Sequence, residues 1–393
     1  KKLDFVLLSL VILAFCVSAM HLQSFKAPWV DECYSYYGVS HDSFSEFFTS
    51  MLTGINFSPP LYFSFNFIIQ LFFPISIDLL RIESVLWSVL GTILTFLISR
   101  KAFGNTPAIM ASLVVISQSS LLLQQSLEAR QYTMFFACGS WTLYELNRFR
   151  FKKQNFKDHV LFFSSHLSLC LVHYLGIIFS GFLVLALIFS NKERPITKRV
   201  PHSIYLSWCI AITAYIFLLY HQSSHLNTWN KENGLNSLLS IYNDSIFILS
   251  LIIPAICFIF RYKIQKQKNS NSPNSYSILI VTSFFWLAIP LIFWVLSHGS
   301  DYNLFKDRYF IPKEAALIVI IAFIINKFQT KFLVSKRSKL PLGAIVLLSL
   351  FIMAVEFKRS LFATNPERNF HHWILVNSNI QNKQFPFVFI EDP

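Results

Sequence analysis

Apolar segments nearly long enough to cross a membrane recur along most of the chain. A transmembrane helix needs about 20 predominantly apolar residues. The segments lie at residues 5–22, 82–99, 107–125, 132–147, 159–174, 176–190, 203–221, 241–260, 276–297, 314–328 and 340–356. This pattern predicts an all-α polytopic membrane protein with about eleven transmembrane helices.

One further apolar run, LYFSFNFIIQLFF at residues 61–73, is too short to span a bilayer comfortably. Runs of roughly 10–14 residues are more typical of interfacial or re-entrant helices. Pro59 and Pro60 precede this run and favour a helix start there. We predict that this helix and an amphipathic helix at residues 42–52 lie along the membrane surface, within a long first outer loop (residues 23–81).

Basic residues indicate the orientation of the chain. Cytoplasmic loops of membrane proteins carry an excess of Lys and Arg. If the N-terminus is cytoplasmic and residues 61–73 do not span, most of the 33 basic residues fall on the cytoplasmic side. The loops concerned are residues 100–101, 148–153, 192–199, 261–268 and 327–339. The loops rich in acidic, aromatic and histidine residues then face outward.

The composition agrees with a membrane protein. The sequence is 54% hydrophobic and 13% charged, whereas soluble domains carry about 25% charged residues. The net charge of +13 would suggest nucleic acid in a soluble protein, but here the basic residues follow the topology, so no nucleic-acid partner is expected. Of six cysteines, only Cys33 lies outside the apolar segments, so neither a disulfide framework nor a metal-type spacing is predicted.

The two ends of the chain carry further expectations. Residues 1–19 resemble a signal peptide, and we expect an uncleaved signal anchor because the topology requires that helix. The transmembrane domain is predicted to cover residues 1–356. Residues 357–393 are predicted to form an outer-face tail that begins a small α/β domain.

Chemically capable side chains collect in four outer segments. They are Asp31, Glu32, His41 and Arg81 in the first, Glu128, Arg130 and Tyr132 in the second, His173 and Tyr174 in the third, and Lys306, Arg308 and Tyr309 in the fourth. Basic side chains near helix ends often only reach the interface, and we interpret Lys26 in this way. Because charged groups at bilayer depth are costly unless they are paired or used, the collection on one face indicates a site.

Several motifs occur in an order that resembles a known family. VDE follows the first span, SPPLYF precedes the short helix, and QQSLEARQYTMFFA, LVHYLG and DRYFIP come later in that order. This arrangement resembles the bacterial members of glycosyltransferase family 39, the protein O-mannosyltransferase and aminoarabinose-transferase group of the membrane-embedded GT-C superfamily. Two departures stand out: many relatives have His or Lys where this chain has Ser58, and their outer C-terminal domain is represented only by its beginning.

The resemblance implies a GT-C-type fold and a glycosyltransferase of the bacterial inner (cytoplasmic) membrane, with its N-terminus in the cytoplasm. It implies a polyprenyl-phosphate-linked sugar as donor and an acceptor on the outer face, which is a lipid, a protein or a polysaccharide. Membrane lipids surround the protein. Asp31 matches the essential acid of the family, which is a general base or, in some relatives, a metal-contacting acid.

The candidate residues suit a single inverting displacement. A carboxylate that takes the proton of an acceptor hydroxyl contributes about 10²–10⁴-fold, and we expect Asp31 to do so with Glu32 in support. The departing phosphate gains charge, which arginine stabilises through bidentate contacts. Phosphate contacts are expected from Arg81, Arg308, Arg130 and Lys306, with Arg81 and Arg308 ranked first. Further substrate contacts are expected from Glu128, which we also pair with Arg130, and from Tyr132, His173, Tyr174, Tyr309 and His41.

Two alternatives stay open. Asp31, Glu32 and an outer histidine have ligand atoms for a divalent cation, but basic residues can neutralise the phosphate, so no cofactor is required and no metal site is assigned. The alternative function is a transporter or flippase of a lipid-linked saccharide, and a hydrolase or ligase of lipid-linked oligosaccharides would differ mainly in its donor. Transporters usually place ionisable groups near the bilayer midplane, whereas here they gather at one end of the spans.

Overall fold

A computed structural model describes residues 2–26, 28–53, 58–151, 155–190, 200–222, 238, 277–298 and 305–332, and all structural statements refer to these residues. They form thirteen α-helices and no strand, which confirms the all-α prediction. The helices are α1 (Lys2–Phe25), α2 (Val30–Val39), α3 (Phe44–Leu52), α4 (Leu61–Gln70), α5 (Ile77–Phe103), α6 (Asn105–Gln118), α7 (Ser120–Ser126), α8 (Tyr132–Phe151), α9 (Phe156–Val172), α10 (Gly176–Ser190), α11 (His202–Gln222), α12 (Ser277–His298) and α13 (Lys313–Phe332). A 3₁₀ turn at Asp307–Phe310 precedes α13.

Three helices, α5, α11 and α12, are each long and apolar enough to cross a membrane by length and composition. The chain is therefore a membrane-embedded helical protein. The predicted spans coincide with a helix or a helix pair wherever the structure describes them. The predicted spans at 241–260 and 340–356 and the predicted tail at 357–393 lie outside the described residues.

The predicted span at 107–125 is not one straight helix. It forms α6 and α7, which meet at an angle of 65°. Ser119 leaves the helical conformation at this break, and its hydroxyl accepts a hydrogen bond from the backbone N–H of Leu122 at 3.0 Å. Serine is a favoured N-cap because its side chain satisfies a backbone donor that a new helix leaves unpaired. The local capping chemistry of Ser119 therefore overrides the continuous apolar pattern.

Helix α5 packs along α7 and α8 through small hydroxyl side chains. Ser88 of α5 lies 2.7 Å from the hydroxyl of Ser126, and Thr95 donates to the hydroxyl of Ser140 at 2.9 Å. All four side chains are buried. Small polar residues let helices approach closely in a membrane and form hydrogen bonds where water is absent. These contacts fix the three helices relative to one another.

The short helices α2, α3 and α4 form a layer at one end of the helix bundle. Phe47 of α3 stacks on Phe67 of α4 with ring centroids 4.5 Å apart, and Gln222 of α11 donates to the carbonyl of Met51 at 2.7 Å. With ten residues, α4 is about 15 Å long, half of the roughly 30 Å hydrocarbon core. Helices are therefore present in both predicted segments, whereas their position at the membrane surface stays a prediction.

Gly176 is the first residue of α10 and directly follows the tight turn that contains His173. A Cβ atom at residue 176 would overlap the backbone carbonyl of Leu169, whereas a Cβ atom at Gly181 would meet open space. We expect Gly176→Ala to lower the free energy of unfolding in detergent by about 1–3 kcal/mol, because overpacking forces the backbone to shift. Denaturant titration measures this loss, and the matched Gly181→Ala variant should stay close to wild type.

Candidate active site

Glu32 and Arg81 form a buried ion pair. The Glu32 side chain is 0% exposed and that of Arg81 2% exposed. Arg81 donates to both carboxylate oxygens, from Nε at 2.8 Å and from Nη2 at 2.7 Å. Glu32 also accepts from the backbone N–H of Ala129 at 2.9 Å. Burial alone would raise the pKa of Glu32, but the hydrogen bonds and charge of Arg81 outweigh it and lower the pKa below its usual value.

The same ion pair connects the end of α1 to α5. Arg81 Nη1 donates to the backbone carbonyls of Gln23 and Lys26, at 3.2 and 2.8 Å. In return, the side-chain amide of Gln23 donates to the carbonyl of Arg81 at 3.0 Å. These contacts favour a structural role for Arg81 and Glu32. We expected Arg81 to rank first among the phosphate ligands, and its burial argues against direct contact with a donor.

Asp31 faces the opposite way from Glu32. Consecutive residues of an α-helix are about 100° apart around its axis, so one acid of the pair turns inward and the other outward. Asp31 Oδ2 lies 3.2 Å from Nη1 of Arg308 and 3.8 Å from Nη2 of Arg130. The Asp31 side chain is 21% exposed. The structure thus brings together one accessible carboxylate and two arginines from separate outer segments.

Arg130 is also held by the backbone of α2. Its Nη1 donates to the carbonyl of Asp31 at 2.9 Å and to the hydroxyl of Ser35 at 3.3 Å. Arg130 therefore keeps the start of α2 beside the loop that leads into α8. The sequence predicted only that Arg130 and Asp31 lie on the same membrane face. The structure shows that the two residues contact each other.

Arg308 lies among aromatic rings. Its guanidinium carbon is 5.4 Å from the ring centroid of Trp29, 5.5 Å from that of Tyr132 and 6.0 Å from that of Tyr309. Cations are attracted to aromatic faces at such distances. Its side chain is 23% exposed, and within the described part of the chain its Nε has no hydrogen-bond partner. Arg308 therefore keeps a donor available for an anionic ligand.

His173 extends this aromatic cluster inward. Its ring stacks on Phe135 at 4.9 Å and lies 5.0 Å from Tyr309 and 5.9 Å from Tyr132. Burial, followed by the charges of Arg130 and Arg308, lowers the pKa of His173 to about 3. His173 is therefore neutral at pH 7, where it can form hydrogen bonds but does not add positive charge for a phosphate.

The remaining predicted residues have other contacts. Glu128 pairs with Lys26 at 3.3 Å, so Lys26, which we interpreted as an interfacial side chain, also has an acidic partner, and the pairing of Glu128 with Arg130 stays a prediction. Tyr174 packs against Tyr215 with ring centroids 4.8 Å apart. The carbonyl of His41 accepts from Gln70 of α4 at 2.6 Å.

Lys306 immediately precedes the turn that carries Arg308. Its backbone carbonyl accepts from the N–H of Tyr309 at 3.0 Å, and its side chain is half-buried. The roles of Lys306, Tyr174 and His41 as substrate contacts therefore stay predictions.

Polar residues that the sequence interpretation did not single out also lie at this end of the bundle. Lys313 and Glu314 form a buried ion pair at the start of α13, and Glu83 is buried in α5. The Ser58 hydroxyl accepts a hydrogen bond from the side-chain amide of Gln131 at 2.9 Å. Glu83 and Glu314 could have been noticed in the sequence because each is a charged residue in an apolar run.

The charges around Asp31 bear on the cation alternative. In the described ranges, no three His, Cys, Asp or Glu side chains are grouped closely enough to hold a metal ion. The carboxylate of Glu32 is engaged by Arg81, and Asp31 lies beside two guanidinium groups that would repel a cation. The arrangement is suited to an anionic ligand, because the two arginines exceed the single accessible carboxylate in charge.

The helical fold of the chain is similar to that of two solved structures of a membrane protein, ArnT. A crystal structure of ArnT from Cupriavidus metallidurans bound to undecaprenyl phosphate aligns with 93% of this chain and 74% of its own, with a TM-score of 0.58 and 10% identity. ArnT from the same organism in the apo state aligns with 81% of this chain and 59% of its own, with a TM-score of 0.58 and 12% identity.

This likeness to ArnT confirms the predicted fold. At 10–12% identity it concerns the fold alone. No family model matches the sequence, and a search of curated proteins finds no match.

Proposed function

We propose that the protein is a membrane glycosyltransferase that moves a monosaccharide from a polyprenyl-phosphate-linked donor to an acceptor on the outer membrane face. The single observation that carries the proposal is the contact of the accessible Asp31 carboxylate with Arg308 and Arg130. A base and two phosphate-binding cations are the groups that such a transfer needs. The GT-C fold supports the proposal, and the ArnT structure named above contains undecaprenyl phosphate.

Arg308 is the proposed principal ligand of the donor phosphate, with Arg130 beside it. Arginine offers several donors in a planar fork that matches phosphate oxygens. The partial exposure of Arg308 and its unpartnered Nε, among the described residues, leave room for such a contact. Phosphate binding would draw the two guanidinium groups from Asp31 towards the donor and release the carboxylate for the acceptor.

Asp31 is the proposed general base. It takes the proton of the acceptor hydroxyl while the acceptor oxygen forms a bond to the anomeric carbon of the sugar. The bond from that carbon to the phosphate oxygen breaks, and polyprenyl phosphate leaves with the electron pair. One displacement of this kind inverts the anomeric centre. Phosphate is already a good leaving group, so activation of the acceptor is the larger need.

The alternative of a transporter for lipid-linked saccharides receives less support. Transporters generally bind substrate between broken helices near the bilayer midplane. Asp31 lies near the start of the short helix α2, Arg130 in the loop before α8, and Arg308 in the 3₁₀ turn before α13. A site at the outer end suits chemistry on a carrier lipid whose sugar already faces outward.

Arg308→Lys should weaken the binding of undecaprenyl phosphate by about 10-fold. Lysine keeps the charge but loses the bidentate fork and the stacking on the rings around it, a difference of about 1.4 kcal/mol. Isothermal titration of the purified protein in nanodiscs measures this affinity. Arg148→Lys is the matched control, because Arg148 pairs with Glu145 and Asp158 at the far end of α8. Equal affinities for wild type and Arg308→Lys would contradict the assignment.

A direct test uses proteoliposomes that contain undecaprenyl-phosphate sugars radiolabelled in the sugar, with glucose, mannose and 4-amino-arabinose as the panel. Membrane extract from cells lacking the protein supplies acceptors. We expect the labelled sugar of one of these donors to be transferred to an acceptor, with an equal amount of undecaprenyl phosphate formed. Label that crosses the bilayer while still attached to the carrier would instead support the transporter.

A further inference from the structure

Glu83 is a buried carboxylate on the second turn of α5. Its side chain is 7% exposed. One oxygen, Oε1, accepts a hydrogen bond from the indole Nε1 of Trp87 at 2.5 Å, whereas Oε2 has no partner within the described part of the chain. An unpaired acceptor of this kind is costly when it is removed from water.

Tyr62 on α4 provides a second unpartnered group close to Glu83. The residue is 1% exposed, and its hydroxyl likewise has no hydrogen-bond partner among the described residues. Asn66, one turn further along α4, donates to the carbonyl of Tyr62 at 3.1 Å and also interacts with the Glu83 carboxyl group. We call Tyr62, Asn66, Glu83 and Trp87 the Glu83 cluster.

The Glu83 cluster is linked to the segment that carries Arg130 by two hydrogen bonds: Ser84, next to Glu83, donates to the carbonyl of Glu128 at 2.6 Å, and Ser58, shortly before α4, accepts from Gln131 at 2.9 Å. Burial raises the pKa of Tyr62 well above its usual value, and the charge of Glu83 raises it further, whereas the charge of Arg130 lowers it. Tyr62 is therefore within electrostatic reach of both Glu83 and Arg130, which contacts Asp31 directly. A ligand whose phosphate is bound by Arg130 and Arg308 would have its adjoining atoms near Tyr62.

A purely structural role does not account well for this cluster. Structural polar groups in membrane interiors are normally hydrogen-bonded, as the Glu32 and Arg81 pair is. The Glu83 cluster instead leaves one carboxylate oxygen of Glu83 and the hydroxyl of Tyr62 without a hydrogen-bond partner among the described residues. A carboxylate oxygen accepts, and a phenol both donates and accepts, so together they suit a hydroxyl-bearing ligand.

We infer that the Glu83 cluster binds hydroxyl groups of the donor sugar and thereby selects the sugar that is transferred. This inference rests on the proposed function, because it assigns the sugar end of the donor whose phosphate lies at Arg308 and Arg130. Glu83 Oε2 accepts a hydrogen bond from one sugar hydroxyl, and the Tyr62 hydroxyl bonds to a neighbouring one. Sugars that lack a hydroxyl at the matching position leave the buried carboxylate unpaired and are disfavoured.

The test compares binding of bare undecaprenyl phosphate with binding of undecaprenyl phosphate that carries glucose, mannose or 4-amino-arabinose. Isothermal titration in nanodiscs is carried out with wild type, Glu83→Gln and Tyr62→Phe. For the sugar that wild type prefers, we expect Glu83→Gln to weaken binding of the sugar-bearing lipid about 10-fold. Binding of bare undecaprenyl phosphate should change by less than about two-fold, and Tyr62→Phe should give the same pattern to a smaller extent.

Glu145→Gln is the matched control. Glu145 is also a buried glutamate, but it pairs with Arg148 near the C-terminal end of α8, the end away from Arg130. This variant should leave both affinities at the wild-type value. Equal losses for the bare and sugar-bearing lipids in Glu83→Gln would overturn the inference, as would unchanged affinities in both Glu83 cluster variants. If a sugar preference disappears in Glu83→Gln but no donor supports transfer by wild type, the proposed function fails and the binding site stands.

Discussion

Asp31→Asn should abolish nearly all sugar transfer, with the rate constant falling by about 10²–10⁴-fold. Asparagine keeps the size of the side chain but cannot take a proton from the acceptor. Its amide also repels the donor phosphate less than a carboxylate does, so binding of undecaprenyl phosphate should be equal to or tighter than in wild type. Single-turnover transfer from a radiolabelled donor measures the rate, and titration with undecaprenyl phosphate measures the binding.

Asp42→Asn provides the matched control for this variant. Asp42 belongs to the same outer segment, but its side chain is exposed in the loop before α3. The control should transfer sugar at the wild-type rate. Transfer by Asp31→Asn within a factor of about three of wild type would remove Asp31 as the base. Loss of binding together with loss of rate would instead indicate that Asp31 mainly holds the arginines in place.

Glu32→Gln should destabilise the fold by about 3–5 kcal/mol, the cost of leaving one member of a buried ion pair without its partner. Arg81 would then keep a buried charge with no carboxylate beside it. Chemical denaturation of the purified protein in detergent measures the loss. Glu46→Gln, which alters an exposed glutamate at the start of α3, should change the unfolding free energy by less than about 0.5 kcal/mol.

A double-mutant cycle separates this structural role from catalysis. Because Glu32 and Arg81 act as one unit, the double variant Glu32→Gln with Arg81→Met should lose less stability than the sum of the two single variants. Strictly additive losses would show that the pair is not coupled. Wild-type stability in Arg81→Met with loss of donor binding would restore Arg81 as a phosphate ligand.

The pKa of Glu32 adds a pH dependence to the same test. Its folded-state pKa lies below the reference value of 4.5, so the unfolded state binds a proton more readily than the folded state does. The stabilisation from the pair is therefore complete above about pH 5 and is lost as the pH falls through the folded-state value. The stability difference between wild type and Glu32→Gln should shrink over that acidic range.

Much of the fold follows from the sequence because the bilayer restricts the choices. Backbone groups in hydrocarbon must be paired within a helix or a closed barrel, so apolar runs of the right length predict helices. The run at 61–73 was correctly separated from the spans by its length, and it forms α4. The segments containing Asp31, Arg130 and Arg308, which we grouped by predicted membrane face, contact one another in the structure.

The different roles of Asp31 and Glu32 could not be predicted in the same way. The two acids are adjacent in sequence, and only the rotation of α2 decides which one turns towards Arg81. That rotation depends on Arg81 and Ala129, which lie 49 and 97 residues from Glu32. A single sequence contains no information on such distant pairing, so Arg81 was expected at the phosphate, although its contacts favour a structural role.

Glu83 could not be interpreted from sequence for a related reason. A glutamate in an apolar run signals a function or a partner, but its meaning depends on Tyr62 and Asn66 of a helix that the pattern places only at the membrane surface. Helix α4 contacts α5 where Phe65 packs against Trp87 with ring centroids 5.3 Å apart, and this packing brings Asn66 to Glu83.

Anomeric analysis of a purified reaction tests the central claim most directly. Wild-type protein in nanodiscs is incubated with the preferred undecaprenyl-phosphate sugar and its acceptor fraction, and NMR of the product determines the linkage. For wild type we expect equal amounts of glycosylated product and undecaprenyl phosphate, with inversion at the anomeric carbon. With Asp31→Asn we expect neither product. An intact donor after prolonged incubation with wild type, or retention of configuration at the anomeric carbon, would contradict our account.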